Sequence, residues 1–293
     1  MRSTPLTDWL KSWPIAALPH HLLSGMVRAA TRWQTGWWKG LLITWFIRQF
    51  RVDMSEAENP DPGRYPDFNS FFTRALNPAA RPLADRPQAI VSPVDGRISQ
   101  IGRIQDGRLL QAKGRDYSLV TLLGGDEARA RAFQGGSFAT LYLSPRDYHR
   151  IHMPCTGRLT ESVYIPGRLF SVAPHTTRAI PGLFTRNERL ANLFDTPTGP
   201  MALVMVGAIF VACMETVWDG VVRPPGPGIQ ARHYNSGEGS PPELHQGEEM
   251  GRFNMGSTVI LLYGPGQACW LEGLAADQPV RMGELIGHFL SGP

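Results

Sequence analysis

Three consecutive residues that could take part in a reaction, Gly256, Ser257 and Thr258, precede an apolar run that continues to Leu262. The run has the length and composition of a buried strand. Gly256 has no side chain, so its carbonyl can be approached closely, and the Ser257 hydroxyl is its neighbour in the chain. Such a hydroxyl can attack its own peptide bond if a base removes its proton. Because Gly and Ser commonly punctuate loops, the tripeptide alone is more often a turn, and the chemistry depends on groups elsewhere.

Two histidines three residues apart, His149 and His152, are the candidate bases. They lie in a polar segment, residues 144–154, directly after a predicted strand. The segment contains no HExxH motif and no acidic third ligand at usable spacing, so no metal site is expected. Imidazole can take up and return a proton near neutral pH. The pattern therefore suggests proton transfer, and a purely structural role for the pair is the alternative.

Asp95 is the candidate carboxylate, in the sequence Pro-Val-Asp-Gly at residues 93–96. Asp-Gly between two strands is typical of a hairpin turn. In the functional interpretation, Asp95 is instead a buried carboxylate that orients a histidine. A serine, a histidine and an aspartate form a general-base relay, in which the aspartate fixes the tautomer of the base. The G-x-S-x-G elbow of many hydrolases is missing around Ser257.

The elements that must position these groups are mainly strands. From residue 90 onward, short apolar runs alternate with turn residues, which predicts a sandwich or barrel-like β fold. No alternation of strands with helices is visible, so a doubly wound sheet is not expected. A stretch rich in Pro and Gly, residues 223–243, predicts a long mobile loop. The predicted strands cover residues 89–91, 97–101, 139–143, 159–165, 203–211 and 259–263.

Residues 1–50 differ from the rest, because they hold six of the eight tryptophans, interleaved with Arg and Lys. Pro14 and Pro19 interrupt the pattern, which predicts two or three short helices, the region from 22 to 50 being helical. Helices with Trp on one face and basic residues beside it lie flat on anionic membranes. Packing of the tryptophans against the catalytic domain is the alternative interpretation.

These patterns predict an α+β protein: a mainly β catalytic core, sandwich or barrel-like, preceded by short amphipathic N-terminal helices. Residues 1–67 form a membrane-associating helical segment with a turn-rich connector from residue 54, and residues 68–293 form the β-rich domain. Residues 68–74 are expected to begin that domain as a short helix.

Composition limits the class of protein. A chain of 293 residues with 42% hydrophobic and 18% charged residues has enough apolar material for a sizeable core. The net charge of +4 is too small to argue for nucleic acid but suits an anionic surface. The three cysteines, Cys155, Cys213 and Cys269, are too sparse for a disulfide framework or a zinc knuckle. No signal-peptide core and no run of ~18 apolar residues is present, so a protein that does not cross the bilayer is expected.

Taken together, these segments resemble the bacterial phosphatidylserine decarboxylase family, from about residue 68 to near the end of the chain. One departure is visible: the family's Leu-Gly-Ser-Thr is Met255-Gly256-Ser257-Thr258 here. Leu to Met nearly conserves volume and leaves the Gly-Ser bond unchanged. The matching segments are 71–74, 93–96, 111–114, 142–154, 164–167, 183–189, 206–208, 215–218 and 247–260.

The resemblance implies an inactive proenzyme, a zymogen that cleaves itself between Gly256 and Ser257. Ser257 would attack the Gly256 carbonyl, with His152 as base and Asp95 as its orienting carboxylate. The products would be a large chain, residues 1–256, and a small chain, residues 257–293. Ser257 would become a covalent pyruvoyl group, the cofactor implied here.

The implied reaction of the mature enzyme belongs to phospholipid biosynthesis. The pyruvoyl carbonyl forms a Schiff base with the amine of phosphatidylserine and accepts electrons as carbon dioxide leaves, giving phosphatidylethanolamine. His149 is the implied proton donor or carboxylate-positioning group, and its division of roles with His152 stays open.

A two-tailed lipid substrate implies a peripheral protein on the cytoplasmic face of the cell membrane. Phe71, Phe72 and the Trp-rich helices are the expected contacts for acyl chains. The expected partners are phosphatidylserine, the membrane surface and the two chains of one precursor, with a homodimer left open and no nucleic acid. Two alternatives remain: a serine hydrolase using Ser257, His152 and Asp95, and a β-rich membrane-binding module without catalysis.

Overall fold

The structure, a computed structural model, describes residues 6–16, 19–86, 88–112, 114–209, 213–222, 226–234, 242–254 and 257–290. Helices dominate the first 50 residues, and sheets dominate from residue 89 onward. The predicted α+β class with a mainly β core is therefore confirmed. The helices are α1 Leu6–Ala16, α2 His20–Thr31, α3 Gly36–Phe50, α4 Phe68–Phe72, α5 Leu119–Leu122, α6 Glu127–Arg131, α7 Pro174–Ala179 and α8 Leu183–Arg186, with 3₁₀ turns at Pro62–Arg64 and Pro78–Ala80.

The strands form four sheets within the described residues, and every ladder between them is antiparallel. The strands are β1 Ala89–Val91, β2 Gly96–Arg103, β3 Arg108–Ala112, β4 Arg115–Ser118, β5 Ser137–Leu143, β6 Arg150–His152, β7 Gly157–Ile165, β8 Arg189–Thr196, β9 Gly199–Val206, β10 Met214–Thr216, β11 Gly220–Val221, β12 Gln230–His233, β13 Glu243–Leu244, β14 Glu249–Phe253, β15 Ser257–Tyr263, β16 Ala268–Trp270, β17 Pro279–Val280 and β18 Leu285–Phe289.

The largest sheet runs in the order β12-β7-β8-β9-β15-β5-β2-β17, and β13 also pairs with β7. It ends in two edge strands, so within the described residues it is an open sheet and no barrel closes. A second sheet, β11-β10-β14-β6, carries the histidine segment, because β6 is Arg150–His152. A third sheet, β1-β18-β16, and the hairpin β3-β4 complete the arrangement.

The central strand of the large sheet is β15, which begins at Ser257 itself. It pairs with β5 on one side and with β9 on the other, and all seven of its residues are buried. Its apolar run lacks polar alternation because both faces are covered. Full burial stabilises the fold by about 1.5–3 kcal/mol for each large aliphatic side chain, so Val259–Leu262 fix the position of Ser257.

The hairpin interpretation of Asp95-Gly96 and part of the predicted loop 223–243 do not match the structure. Asp95-Gly96 is not a hairpin, because β1 pairs with β18 while β2 pairs with β5 and β17. Gly96 is instead required for close packing, since a Cβ there would lie 2.3 Å from the Tyr142 carbonyl oxygen. The predicted loop 223–243 contains an edge strand, Gln230–His233, which pairs with β7.

Other parts of these two predicted segments lie outside the described residues. They are 223–225 and 235–241 in the loop, and 210–211 at the end of the predicted strand 203–211. The observed strand there, β9, ends at Val206.

The helix α3 packs one face onto α4. Ile43 and Phe46 are buried, and the Phe46 ring lies 5.0 Å from Phe68, 6.0 Å from Phe71 and 5.8 Å from Phe72, between ring centroids. Edge-to-face contacts of this kind add to the gain from area burial. Direct contact of Phe71 and Phe72 with lipid is therefore wrong for this structure, because α3 covers both rings.

The opposite surface of the N-terminal helices carries exposed apolar side chains. The exposed set comprises Leu6, Trp9, Leu10, Trp13, Leu22, Met26, Trp33, Trp37, Leu41 and Trp45. Trp38 instead donates its indole N–H to the Ala30 carbonyl at 2.9 Å. The helices thus combine packing on the core with an exposed apolar surface. Across the described ranges, no helix has the length and apolarity needed to span a bilayer.

Candidate active site

Ser257 is fully buried at the first position of β15, opposite Leu143 of β5. Its hydroxyl oxygen makes no hydrogen bond with any described residue. The predicted cleavage partner Gly256 lies outside the described residues, as does Met255. A buried hydroxyl without a partner costs about 1–3 kcal/mol, and unsatisfied groups of this kind often mark a functional site.

The chain leading to Ser257 is tied down three residues earlier, at Asn254. The Asn254 amide nitrogen Nδ2 donates to Sγ of Cys213 at 3.1 Å, and its backbone N–H donates to the Cys213 carbonyl at 3.0 Å. Asn69 of α4 donates to Oδ1 of Asn254 at 2.9 Å. The short helix that follows the connector therefore helps position the segment next to Ser257.

His152 ends β6 with both ring nitrogens hydrogen-bonded. Nδ1 lies 2.8 Å from the Gly247 carbonyl oxygen, which can only accept, so Nδ1 carries the proton. Nε2 is then the acceptor, and the Tyr148 hydroxyl donates to it at 2.9 Å. Burial lowers the pKa of His152, and the bond with Gly247 offsets this in part. The ring is therefore neutral near pH 7, with its basic nitrogen on the Tyr148 side.

His149 has the same tautomer but a different environment. Nδ1 donates to the Asp147 carbonyl at 2.7 Å, while Nε2 has no partner among the described residues. The ring is completely buried and lies 4.0 Å from the Phe72 ring, between centroids. Burial lowers the pKa of His149 to about 3, and the nearby Arg74 cation acts in the same direction. Nε2 is therefore a proton acceptor in this state.

Asp95 is buried against Arg81. Nε of Arg81 donates to the two carboxylate oxygens at 2.8 and 3.1 Å, and the Met282 backbone N–H donates to Oδ1 at 2.8 Å. Arg81 also bonds Oε2 of Glu56 at 2.7 Å. Burial alone would lower the pKa of Arg81, but its hydrogen bonds with the two carboxylates outweigh this and raise it.

The structure places Asp95 and His152 on neighbouring segments, but no hydrogen bond joins either of them to Ser257, so the three do not form a continuous relay. The backbone N–H of His152 donates to the Pro93 carbonyl at 2.9 Å, two residues before Asp95. The side chains of Asp95 and His152 do not share a hydrogen bond, because Nδ1 is taken by Gly247 and the carboxylate by Arg81. The predicted orienting contact is thus replaced by a carbonyl contact in this state.

Sequence reasoning missed four positioning residues. Tyr148 stood in the polar segment with the histidines, and this proximity was the available signal. Arg81 carried a weaker signal, a basic residue 14 positions before Asp95. Gly247 and Asn254 gave none, because a backbone carbonyl and an amide acquire these roles only through the fold. Among the described residues, no group of three His, Cys, Asp or Glu is placed to hold a metal.

Comparison with known proteins gives a consistent result. The family model described as phosphatidylserine decarboxylase matches residues 68–288, and a model described as PSD matches residues 10–51. A protein of Ectopseudomonas mendocina named phosphatidylserine decarboxylase proenzyme is 55% identical over 271 residues, covering 92% of this chain and 95% of that protein.

Two further relatives carry the same name. The protein of Pseudomonas fluorescens is 53% identical over 270 residues, covering 92% of this chain and 94% of its own length. The protein of Nitrosococcus oceani is 54% identical over 287 residues, covering 98% of this chain and 93% of its own length. The chain therefore belongs to the phosphatidylserine decarboxylase family.

Proposed function

We propose that this protein is a proenzyme that cleaves itself between Gly256 and Ser257 and then decarboxylates phosphatidylserine to phosphatidylethanolamine. The names of its relatives support the substrate and the proenzyme state. The observation that carries the proposal is the buried, unpaired hydroxyl of Ser257 at the first position of the central strand. The hydroxyl follows directly on the peptide bond that it would attack.

The burial of Ser257 also favours self-cleavage over the hydrolase alternative. In the uncleaved chain its side chain is 0% exposed, so an external ester or amide does not reach the hydroxyl. An intramolecular carbonyl needs no access path, and its fixed proximity replaces a bimolecular encounter.

The proposed cleavage proceeds through an ester. Ser257 Oγ bonds to the Gly256 carbonyl carbon while the C–N bond breaks, and the serine nitrogen receives the proton that Oγ gives up. Loss of the Ser257 α-proton and cleavage of its Cβ–O bond then release the Gly256 carboxylate and leave a dehydroalanine. One water molecule converts this group to the pyruvoyl ketone and releases ammonia.

His152 is the proposed base for the first step. Its tautomer leaves Nε2 as the proton acceptor, and its lowered pKa keeps that nitrogen free of a proton at neutral pH. Tyr148 occupies Nε2 in this state, so the Ser257 hydroxyl must replace the tyrosine there. Asp95 does not contact the His152 side chain. Its carboxylate, held in place by Arg81, acts on the His152 ring electrostatically from the neighbouring segment.

The position of Ser257 also fits the pyruvoyl group proposed as cofactor, because Ser257 supplies its atoms and becomes the free N-terminal end of β15 after cleavage. The ketone supplies an electron sink for the bond to the departing carboxylate. His149 contributes an unpaired Nε2 held against Phe72. We assign His149 to accepting a proton from the substrate amine or carboxyl. Its Nε2 carries no proton in this state, so it can donate one only after such an uptake.

The two proposed chains, 1–256 and 257–293, are expected to stay together. Three of the four described strands of the small chain pair with strands of the large chain: β15 with β5 and β9, β17 with β2, and β18 with β1. β16 pairs with β18. Cleavage before Ser257 breaks none of these ladders.

Membrane contact is the second part of the proposal. The exposed tryptophans of the N-terminal helices have the amphipathic character that favours the membrane interface. We place the boundary between this membrane-associating segment, 1–67, and the catalytic domain, 68–293, at the start of α4. The location follows as peripheral, on the cytoplasmic face of the cell membrane, and a homodimer remains a prediction.

Intact mass measurement with a denaturing gel tests the proposal. The expected result is two chains split at residue 256, with the small chain blocked at its N-terminus and reactive to borohydride. Ser257→Ala should remain one polypeptide and release no carbon dioxide from phosphatidylserine vesicles. A single active chain that reacts with a fluorophosphonate would refute the proposal and indicate a hydrolase.

A further inference from the structure

A polar cavity of about 330 Å³ is lined in part by Asp95 and Tyr148 of the candidate site. Its wall contains six arginines and four carboxylates, an excess of two positive charges. The arginines are Arg51, Arg74, Arg81, Arg97, Arg146 and Arg281, and the carboxylates are Asp53, Glu56, Asp95 and Asp147.

The carboxylates of the wall are already engaged. Asp95 and Glu56 both accept hydrogen bonds from Arg81. Asp147 accepts from the Ser144 hydroxyl and backbone N–H, each at 2.7 Å. Asp53 accepts from the Ser55 hydroxyl and backbone N–H at 2.7 and 2.9 Å. None of them forms an ion pair with Arg74.

Arg74 is the unusual member of the wall. It is only 4% exposed, its Nε is buried without a hydrogen-bond partner, and no ion pair joins it to another described residue. The group lies 5.5 Å from the centroid of the Phe71 ring. Burial lowers the pKa of Arg74, which expresses the cost of keeping its charge out of water. A buried cation normally has a directly bonded anionic partner. The charges of Asp95 and Glu56 act on Arg74 from a distance, but no described carboxylate bonds its guanidinium.

Two further arginines of the cavity wall, Arg51 and Arg146, have exposed side chains. Arg51 caps the C-terminal end of α3 and is exposed, and the side chain of Arg146 is 54% exposed and 3.7 Å from Asp147. The outer face of α3 carries the exposed side chains of Trp37 and Trp45. An anion attached to a lipid at that face would find a basic entrance and a buried guanidinium behind it.

We propose that this cavity is an oxyanion site for a phosphate group, with Arg74 as the buried binding residue and Arg51 and Arg146 at its entrance. The planar guanidinium fork matches phosphate oxygens, and its bonds to them are charge-assisted. Two sources offer this chemistry: the phosphodiester of a phospholipid headgroup and free inorganic phosphate. Only the lipid source rests on the proposed function, since binding of inorganic phosphate requires no catalysis.

Thermal unfolding in inorganic phosphate tests the site. Ionic strength is held constant with sodium chloride, because surface charges respond to any salt. The wild type should show a saturable rise in Tm that chloride alone does not produce. Arg74→Met should weaken the phosphate dependence at least tenfold, and Arg74→Lys, which keeps the charge without the fork, should fall between them.

The matched control is Arg64→Met, which removes an arginine whose side chain is 74% exposed and 3.8 Å from Asp61. It should keep the wild-type response to phosphate. If Arg74→Met does not fold, Arg74→Lys carries the comparison. A wild-type Tm indifferent to phosphate, or an unchanged response in both Arg74 variants, would overturn the proposal.

Kinetics of the wild-type enzyme then identify the source of the anion. With phosphatidylserine in mixed micelles, competitive inhibition by inorganic phosphate indicates that the lipid phosphodiester uses the site. Phosphate binding without competition indicates the free anion, and either result supports the site. Failure of the proposed function is distinct: the wild type would release no carbon dioxide while its Tm still rose with phosphate.

Discussion

Arg81 and Asp95 form a buried ion pair in which Nε of the arginine contacts both carboxylate oxygens, at 2.8 and 3.1 Å. The side chain of Arg81 extends further to Glu56, so one guanidinium bonds two carboxylates. In a catalytic relay the aspartate would instead be hydrogen-bonded to its histidine. Asp95 is thus held in a fixed position by Arg81 and by the Met282 backbone, and it influences His152 through space.

The first prediction concerns this pair. Arg81→Gln removes the charge opposite Asp95 and leaves the carboxylate buried with the Met282 N–H. Breaking a buried pair from one side costs about 3–5 kcal/mol, so the free energy of unfolding in urea should fall by that order. Self-cleavage should slow by about tenfold or more, which corresponds to ~1.4 kcal/mol in the barrier. The fraction of split chain on a denaturing gel measures the rate.

Its control is Arg108→Gln, which breaks the exposed pair of Arg108 with Asp116. An exposed pair contributes about 0–1 kcal/mol, so both stability and cleavage should stay near wild type. Wild-type cleavage in Arg81→Gln, at a stability lowered as expected, would show that the charge opposite Asp95 plays no part in self-cleavage.

The second prediction concerns the pH dependence of self-cleavage. His152 must be neutral to accept a proton, and burial lowers its pKa below the ordinary value of 6.5. The rate should therefore be flat from pH 8 down through 6.5 and should fall only in more acidic solution. Tyr148→Phe removes the donor that stabilises the neutral ring, so the pKa rises and the acid limb moves to higher pH.

Time courses of cleavage, quenched at intervals and analysed on denaturing gels across this pH range, give the pH–rate profiles of the wild type and of Tyr148→Phe. Tyr142→Phe is the matched control, because Tyr142 lies in β5 and no hydrogen bond joins it to either histidine. It should keep the wild-type limb. A Tyr148→Phe profile that superimposes on wild type would exclude His152 as the titrating base.

Much of the large sheet was predictable from the sequence, because a buried strand leaves an uninterrupted apolar run. Val259–Leu262 gave such a run, and the strand found there begins at Ser257, directly after the predicted cleavage bond. Gln230–His233 could not be predicted in the same way. This edge strand has polar and exposed residues, and only its pairing with Tyr164–Glu161 of β7 makes it a strand.

The candidate site was predictable in its residue types but not in its contacts. Asp95, His149, His152 and Ser257 all carry reactive groups, and their predicted roles followed from the family resemblance. The contact of His152 with the Gly247 carbonyl depends on β6 pairing with β14, which are about 100 residues apart in the chain. A local pattern carries no information about which carbonyl a folded chain brings to a ring nitrogen.

The third prediction concerns the link between α4 and the cleavage segment. Asn69→Ala removes the donor to Asn254, which lies three residues before Ser257. Loss of one hydrogen bond costs about 0.5–1.5 kcal/mol, so the fold should persist. Self-cleavage should slow by several-fold, because the carbonyl and hydroxyl lose a fixed approach. Asn59→Ala, in the connector, is the control, and equal rates in the two variants would contradict the link.

The fourth prediction separates the two faces of α3. Trp37→Ser combined with Trp45→Ser removes two exposed indoles, whose side chains are 68% and 53% exposed. Binding to vesicles that contain phosphatidylserine should fall at least tenfold in a flotation assay, because the indoles favour the interface. Self-cleavage should be unchanged and stability should fall only slightly, because both side chains are mostly exposed and Trp45 touches the core cluster only through edge-to-face contacts with Phe46 and Phe50.

Phe46→Ala gives the opposite pattern and serves as the matched control on the same helix. Its ring packs against Phe68, Phe71 and Phe72, so its loss should cost about 3–5 kcal/mol of unfolding free energy. Because Phe72 in turn contacts the His149 ring, decarboxylation per folded molecule should fall as well. If the tryptophan double variant instead keeps full vesicle affinity, the exposed face of α3 is not the membrane-binding surface.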